Sequence, residues 1–178
     1  MSYAVVDLET TTRSYKKRLG SPFHPDNWIV MMGWCTRNEP RPQGQRYMQH
    51  RQGDVDRDFI NILRTPGLRW VVGHNVKFDM LHLINGSEDV LEEWQKFVAG
   101  GGRVFCTQLA EYLLDGHDQQ SHMLSLNELS ARHGLDSKVD EVKELWAAGV
   151  DTPDIEPALL ARYLLGEDLP NGMRREGD

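Results

Sequence analysis

A short apolar segment near the N-terminus runs directly into two acidic residues, and this feature constrains the fold most. Tyr3 to Val6 is apolar without alternation, which is typical of a central strand covered on both faces. Asp7 and Glu9 follow at the C-terminal end of that strand. Because side chains alternate along a strand, the two carboxylates point the same way, roughly 6–7 Å apart. Two like charges there repel and lose hydration unless a cation lies between them, so the segment indicates a metal site.

The composition and the net charge exclude some classes of protein. The chain has 178 residues, 39% hydrophobic and 26% charged, as expected for one soluble globular domain. It contains neither a bilayer-spanning apolar run nor a signal-peptide pattern, so we expect no membrane partner. Cys35 and Cys106 lie in apolar segments, which favours reduced core residues over a disulfide and predicts a cytoplasmic protein. The net charge of −7 argues against a protein that binds nucleic acid through overall electrostatic attraction. It does not argue against an enzyme that binds a strand end through metal ions.

The order of predicted elements is that of an α/β domain in which helices flank one mixed sheet. Apolar runs predict five strands, at residues 3–11, 28–36, 45–50, 68–73 and 103–106. Helical spacing predicts helices at residues 54–63, 76–84, 87–98, 107–114, 125–133, 140–148 and 155–166. The polar stretch after the first strand carries four basic residues: Arg13, Lys16, Lys17 and Arg18. This basic patch is either a solvated loop or a phosphate contact beside the acidic site.

A third carboxylate is predicted at the junction between the fourth strand and the helix after it. The sequence there is Gly73-His-Asn-Val-Lys-Phe-Asp79. Asn75 and Asp79 are four residues apart and would share a helix face. If the first and fourth strands run parallel, Asp79 lies at the same edge of the sheet as Asp7 and Glu9. Ligand sites of open α/β sheets cluster at that edge.

These residues resemble the motifs of a known family. Asp7-Leu8-Glu9-Thr10, followed by His74-Asn75-x-x-Phe78-Asp79, is similar to the first two motifs of the DnaQ-like, or DEDD, 3′–5′ exonucleases. The resemblance is greatest to the proofreading exonuclease domain of bacteriophage family A DNA polymerases. Three later segments are similar to that group as well: Thr107-Gln-Leu-Ala-Glu-Tyr-Leu-Leu114, Leu124-Ser-Leu-Asn-Glu-Leu129 and Lys143-Glu-Leu-Trp146. The resemblance covers roughly residues 3–168.

The resemblance implies a fold, an activity and a set of partners. The fold would be ribonuclease H-like, a mixed five-stranded sheet flanked by helices, in an exonuclease domain of residues 1–169 followed by a flexible tail at 170–178. The activity would be hydrolysis of single-stranded DNA from its 3′ end to 5′-mononucleotides. Three residues would bind the substrate: the backbone of Thr10 would approach the 3′-terminal nucleotide, Phe78 would either pack in the core or lie against the terminal base, and Asn75 would steady the strand or the motif. The setting would be proofreading or DNA processing in phage replication, in the host cytoplasm if the protein is phage-encoded. The chain would be a free-standing exonuclease, a part of a larger protein, or one half of a split polymerase with a separate DNA polymerase subunit as a partner.

The third motif departs from the family pattern. The tyrosine subclass has Tyr-x-x-x-Asp on a late helix, but here Tyr163-Leu-Leu-Gly-Glu-Asp168 places Glu167 four residues after the tyrosine and Asp168 five. On a regular helix Glu167 would lie about 40° from Tyr163, and Asp168 about 140° away. By similarity to the Asp-Leu pair that the family places here, we favour Asp168 as the fourth ligand, since Gly166 and Pro170 allow the helix to unwind. Tyr163, by the same resemblance, orients the attacking water.

The histidine subclass of the family has a His-x-x-x-x-Asp spacing. Tyr163 and Asp168 match that spacing with a different aromatic residue. No Asp follows five residues after His122 or His133, which favours surface or loop positions for both.

Four carboxylates suit hard, oxygen-seeking cations, so we expect two Mg²⁺ or Mn²⁺ ions at Asp7, Glu9, Asp79 and Asp168. In a two-metal scheme the ions lie ~3.5–4 Å apart, one generating hydroxide and the other stabilising the departing 3′-oxygen. Two alternatives stay open. One is an RNA-directed exonuclease of the same superfamily, similar to the oligoribonucleases, because contacts to a 2′-hydroxyl cannot be read from the sequence. The other is a non-catalytic exonuclease-like domain that binds nucleic acid, which the irregular third motif supports.

Overall fold

The computed structural model describes residues 2–13, 20–116, 121–135, 141–168, 174–175 and 177. Its strands are β1 (Ser2–Thr10), β2 (Ile29–Thr36), β3 (Gln43–Arg46), β4 (Leu68–Gly73), β5 (Arg103–Cys106), β6 (Glu167–Asp168) and β7 (Arg174–Arg175). Its helices are α1 (Gln52–Leu63), α2 (Lys77–Gly86), α3 (Glu88–Ala99), α4 (Thr107–Leu114), α5 (Leu126–Arg132), α6 (Glu141–Ala147) and α7 (Pro157–Leu165). Short 3-10 turns at Gln49–Arg51 and Thr152–Asp154 come before α1 and α7. None of the described helices is long and apolar enough to cross a bilayer.

Five strands form one mixed sheet in the order β3-β2-β1-β4-β5. β2 pairs antiparallel with β1 and β3, whereas β1, β4 and β5 pair parallel, so only β2 runs against the others. The predicted α/β class with a mixed five-stranded sheet is confirmed, and the arrangement agrees with a ribonuclease H-like fold. β1 lies at the centre, which explains why its first half is apolar on both faces.

Each face of the sheet carries its own apolar core. Ala4, Val6 and Leu8 of β1 point to the first face and pack in a cluster with buried residues of α1, α2 and α3. The second face packs against α6 and α7. Because side chains alternate along β1, Asp7 and Glu9 lie on the second face.

An irregularity in β2 shapes the second face beside the acidic residues. Glu9 pairs with Met31 and Thr10 with Ile29, so Val30 is an extra residue opposite them. Such a bulge interrupts the alternation of side chains. Val30 and Met31 consequently both join the second core, next to Leu160 of α7.

Two glycines let α7 approach the sheet closely. A Cβ at Gly33 would lie 2.9 Å from the side chain of Leu164, and one at Gly44 would lie 2.7 Å from Leu165. Gly33 is also the register partner of Asp7 on the neighbouring strand. The close approach therefore brings the C-terminal part of α7 next to Asp7.

Some predicted boundaries differ from the structure. β3 ends at Arg46 rather than extending to residue 50, because the chain turns after it through Gln49–Arg51 into α1. The short pair β6 and β7 was not expected, and it places Glu167–Asp168 antiparallel to Arg174–Arg175. Lys16, Lys17, Arg18 and most of the predicted tail lie outside the described residues, so the basic patch and the flexible tail stay predictions.

Candidate functional site

The first part of the candidate site is the C-terminal end of β1. Glu9 is buried, with 6% of its surface exposed, and Asp7 is half-buried. Asp7 lines a cavity of about 160 Å³ together with Leu164 and Leu165 of α7. Asp7 therefore lies beside the C-terminal part of α7 and Glu9 is buried, whereas the role of the two residues as metal ligands stays a prediction.

Asp79 reaches the same strand from the first turn of α2. Its Oδ1 atom accepts the backbone N–H of Leu8 at 3.2 Å. The pairing of β1 with β4 ends at Val5 and Val72, so this carboxylate continues the hydrogen bonding of β1 beyond its last pair with β4. Only 3% of Asp79 is exposed. The parallel arrangement of β1 and β4 thus brings Asp79 to the edge of the sheet that holds Asp7 and Glu9.

The electrostatics of Asp79 reflect this placement. Burial raises the pKa of the Asp79 carboxyl well above its usual range, and the nearby charge of Asp7 raises the pKa further. Hydrogen bonds from the backbone N–H groups of Asp79 and Leu8 act in the opposite direction, because they stabilise the charged form. Asp79 and Asp7 therefore disfavour each other's negative charge, and a bound cation would relieve that repulsion.

These carboxylates have the chemistry of a site for Mg²⁺ or Mn²⁺. Asp7, Glu9 and Asp79 offer only hard oxygen donors, and the coupling between Asp7 and Asp79 is the kind that a divalent cation compensates. Among the described residues, no three His, Cys, Asp or Glu side chains form a group that could hold a metal ion as they stand. The carboxylate oxygens suit these cations, but the described side chains are not arranged around a common ion position.

The third motif is arranged differently. Gly166 has φ +74° and ends α7, so Glu167 and Asp168 leave the helix and enter β6. The Asp168 carboxylate is 58% exposed and pairs with Arg41. Glu167 pairs with Arg162 at 3.4 Å. The structure thus does not group Asp168 with the other three acidic residues, and the choice between Asp168 and Glu167 as the fourth ligand stays a prediction.

A second cavity, of about 280 Å³, opens beside Glu9. Seven residues line it: Leu8, Glu9, Thr10, Thr12, Gly20, Phe78 and Trp146. Two of the residues predicted to contact the terminal nucleotide, Thr10 and Phe78, are therefore walls of one cavity. With Trp146, Phe78 gives the cavity two aromatic rings, and its lining is mainly apolar. Such a cavity can take a planar, apolar group whose polar end reaches the carboxylates.

His82 holds Phe78 and the loop beside it. The rings of Phe78 and His82 meet edge to face at 4.7 Å, and His82 Nε2 lies 2.7 Å from the carbonyl oxygen of Gly20. A carbonyl only accepts, so Nε2 carries the proton. Burial lowers the pKa of His82, which keeps the ring neutral near physiological pH. This contact fixes two walls of the cavity, Phe78 and Gly20.

Trp146 is a site residue that the sequence analysis did not single out. It lines the cavity, and its ring meets Tyr163 edge to face at 5.6 Å. Tyr163, the expected water-orienting residue, is 3% exposed and belongs to the second core. The available signal was the segment Lys143-Glu-Leu-Trp146, which carried part of the family resemblance but no predicted role.

Asn75 does not lie on the helix as predicted. α2 begins at Lys77, and Asn75 precedes it with φ +53°, the only positive φ among the described residues other than glycine. Asparagine tolerates this conformation better than most residues, and the turn carries the chain sharply from β4 into α2. The prediction that Asn75 and Asp79 share a helix face is therefore wrong. Asn75 is exposed beside the start of α2.

Comparisons with known proteins show a likeness of fold. No protein-family model matches the sequence, and no curated protein matches it. Among solved structures, the family B DNA polymerase from the hyperthermophilic archaeon Pyrobaculum calidifontis is similar, with 15% identity and a TM-score of 0.53. The match covers 89% of this chain and 21% of the polymerase, so the chain spans about a fifth of that protein's length.

Proposed function

We propose that this protein is a metal-dependent 3′–5′ exonuclease that removes 5′-mononucleotides from single-stranded DNA ends. The observation that carries the proposal is the position of Asp79. It is buried, bonded to the backbone of β1 and electrostatically coupled to Asp7, at the sheet edge where ligands bind in α/β folds. The similarity in fold to part of a DNA polymerase supports the choice of DNA as substrate.

Each part of the site has a role in this proposal. Asp7, Glu9 and Asp79, with Asp168 as the fourth ligand, would hold Mg²⁺ or Mn²⁺. The bound ions would supply an activated water and neutralise charge at the phosphate. Tyr163 is the candidate for orienting that water.

The cavity beside Glu9 would hold the terminal base. Phe78 and Trp146 line it from α2 and α6, and Glu9 and Thr10 line it from β1. Stacking of a base on an aromatic side chain contributes roughly 1–3 kcal/mol and tolerates any base. A cavity of this kind selects for an unpaired 3′ end, because a paired base cannot leave its stack without cost.

The test is degradation of a 5′-labelled single-stranded DNA oligonucleotide in the presence of Mg²⁺ or Mn²⁺. We expect a ladder of products that shortens from the 3′ end, with release of 5′-mononucleotides. Asp7→Ala should lower the rate by at least about 1,000-fold, since it removes one of the carboxylates on which ion binding depends. Asp26→Ala changes an exposed carboxylate in the loop before β2 and serves as the matched control. Wild-type rates in a folded Asp7→Ala protein would refute the assignment.

A non-catalytic nucleic-acid-binding domain is the second candidate. One observation favours it: Asp168 and Glu167 are both engaged by arginines. Calorimetric titration with Mn²⁺ separates the two candidates, because the exonuclease should bind two ions and a non-catalytic domain should not. Parallel assays with an RNA oligonucleotide of the same sequence test the RNA-directed alternative.

Proofreading in phage replication, with a DNA polymerase as partner, is the setting that we propose for the activity. Proofreading requires a faster rate on a mispaired 3′ end than on a paired one, since only the mispaired end frays readily. The assay compares two duplexes that differ in the terminal base pair alone. Equal rates on both would argue for general DNA processing instead.

A further inference from the structure

Asp151 makes contacts that reach far beyond its own turn. It is the residue before the 3-10 turn Thr152–Asp154, and its Oδ1 accepts the backbone N–H of Thr152 at 3.0 Å. The same oxygen accepts both the backbone N–H and the hydroxyl of Thr12, each at 3.0 Å. Its Oδ2 pairs with Arg13 at 3.2 Å, and the Asp151 side chain is only 16% exposed. A capping residue needs only the first of these bonds, so the other three tie two distant segments together.

The residue after Asp151 completes a connection across the cavity. Thr152 is fully buried, and its hydroxyl accepts the indole N–H of Trp146 at 3.1 Å. Trp146 and Thr12 both line the cavity beside Glu9. Asp151 and Thr152 are therefore adjacent residues that hold two different walls of one cavity, one through Thr12 and one through Trp146.

The loop after β1 is also held by Asn27, which bonds to the neighbours of Thr12, whereas Thr12 itself bonds to Asp151. Asn27 Oδ1 accepts the hydroxyl of Thr11 and the backbone N–H of Arg13, each at 2.9 Å. It thus holds the residues on either side of Thr12. Removal of Asp151 would free Thr12 and its wall of the cavity while Asn27 keeps the rest of the loop in place.

We propose that Asp151 is a positioning residue that sets the width of the cavity for the terminal base. The inference rests on the proposed exonuclease function and names a determinant of its substrate binding. Asp151 holds Thr12 directly and lies next to Thr152, which holds Trp146, so the two residues fix the positions of two cavity-lining side chains. Asp7 is positioned by the pairing of β1 with β2, and Asp79 by its bond to the Leu8 N–H, and neither of these contacts involves the turn that holds Asp151. Asp151 therefore governs binding of the strand end and leaves binding of metal ions unchanged.

The experiment compares Asp151→Ala with Asp151→Asn and Asp154→Ala. Asp151→Ala removes all four contacts, and we expect KM for a single-stranded 3′ end to rise roughly tenfold with kcat changed by less than about threefold. Asp151→Asn keeps an oxygen at the Oδ1 position and loses mainly the ion pair with the exposed Arg13, so it should restore KM to within about threefold of wild type. Asp154→Ala, an exposed position on the same 3-10 turn, is the matched control and should behave as wild type.

Binding of thymidine 5′-monophosphate, measured by calorimetry with Mn²⁺ present, gives a readout that does not depend on turnover. Asp151→Ala should weaken this binding roughly tenfold and leave the affinity for Mn²⁺ alone within about twofold. If Asp151→Ala does not fold, Thr12→Val is the second variant, since it removes one of the bonds and keeps the backbone N–H. Thr12→Val should raise KM about threefold.

The outcomes distinguish failure of this inference from failure of the proposed function. If the wild-type protein neither degrades DNA nor binds the mononucleotide, the proposed function fails. If the wild-type protein does both and Asp151→Ala keeps the wild-type KM, the inference is wrong. It is equally wrong if kcat and Mn²⁺ affinity fall together with the midpoint of thermal unfolding, because that pattern marks a purely structural role.

Discussion

The carboxylates at the end of β1 and those after α7 are held in different ways. Asp7 and Glu9 belong to the central strand of the sheet, and Asp79 is bonded to the backbone between them. Glu167 and Asp168 lie in a two-residue strand pair and are engaged by Arg162 and Arg41. The first group is placed by the backbone of the fold, and the second by side-chain ion pairs.

The two kinds of placement differ in the free energy needed to displace a carboxylate from its position. Exposed ion pairs contribute about 0–1 kcal/mol, so Asp168 can leave Arg41 at small cost when a cation attracts it. Asp79 cannot move without giving up a buried hydrogen bond, and its raised pKa shows that burial opposes its charge in the absence of a cation. We expect the β1 end to define the site before ions bind, and the α7 end to complete it afterwards.

Substitution of the fourth ligand tests this contrast with the largest effect. Asp168→Asn should lower the exonuclease rate by about 10- to 100-fold, since it removes a ligand from one ion while the others remain. Glu167→Gln, the isosteric change at the neighbouring residue, should stay within a few-fold of wild type. The measurement is the rate on single-stranded DNA at saturating Mn²⁺. The reverse order of the two variants would assign the fourth position to Glu167.

Arg41→Ala sharpens the same comparison. It removes the ion pair between Arg41 and Asp168, and without that ion pair the protein should bind Mn²⁺ at least as tightly as the wild type does. A loss of Mn²⁺ affinity in this variant would show that Arg41 positions Asp168 for ion binding. It would contradict the view that Arg41 only keeps the Asp168 carboxylate away from the other ligands.

The pH dependence of ion binding tests the β1 end. The pKa of Asp79 is raised, so a proton competes with the cation over a range that begins above the usual range of a carboxyl group. Mn²⁺ affinity should therefore fall as the pH drops through the raised pKa, by up to about tenfold per pH unit for one competing proton. Calorimetry from neutral to mildly acidic pH measures this slope. A flat profile would show that Asp79 takes no part in ion binding.

The same raised pKa has a consequence for stability, with the opposite sign. A folded state that binds a proton more tightly than the unfolded state gains stability below the usual carboxyl pKa and loses it as the pH rises through the folded pKa. The metal-free protein should therefore lose the contribution of Asp79 toward neutral pH. Asp79→Asn keeps an oxygen for the Leu8 N–H and should abolish this dependence, which thermal unfolding across pH would reveal.

The parts of the site that follow from local sequence were predicted, and the parts that depend on distant contacts were not. The apolar run before Asp7 fixes a central strand, and the strand-to-helix junction before Asp79 brings that residue to the same edge. Asp151 bonds to Thr12, which lies 139 positions away in the sequence, and Trp146 lines the same cavity as residues of β1. No periodicity or local spacing encodes a pairing of that kind.

The wrong placement of Asn75 has an identifiable cause. Its spacing from Asp79 predicts a shared helix face, but its left-handed backbone delays the helix to Lys77. The predicted end of α7 near Gly166 agrees with the structure, because the positive φ of Gly166 ends the helix after Leu165. What the spacing could not give is the direction of the chain beyond the glycine, which decides where Glu167 and Asp168 point.

The contact between α7 and the sheet links the two groups of carboxylates. A Cβ at Gly33 would lie 2.9 Å from Leu164, so Gly33→Ala should push α7 away from Asp7 and lower the free energy of unfolding by about 1–3 kcal/mol. Gly53→Ala in α1 is the matched control, because nothing lies within 4 Å of its added Cβ and alanine favours a helix. Urea unfolding measures both variants. If the backbone alone places the β1 carboxylates, Mn²⁺ should still bind at Asp7 and Asp79 in Gly33→Ala. The variant should then lose catalysis only through the displacement of Tyr163 and Asp168. Loss of all Mn²⁺ binding would show that α7 positions the β1 carboxylates as well.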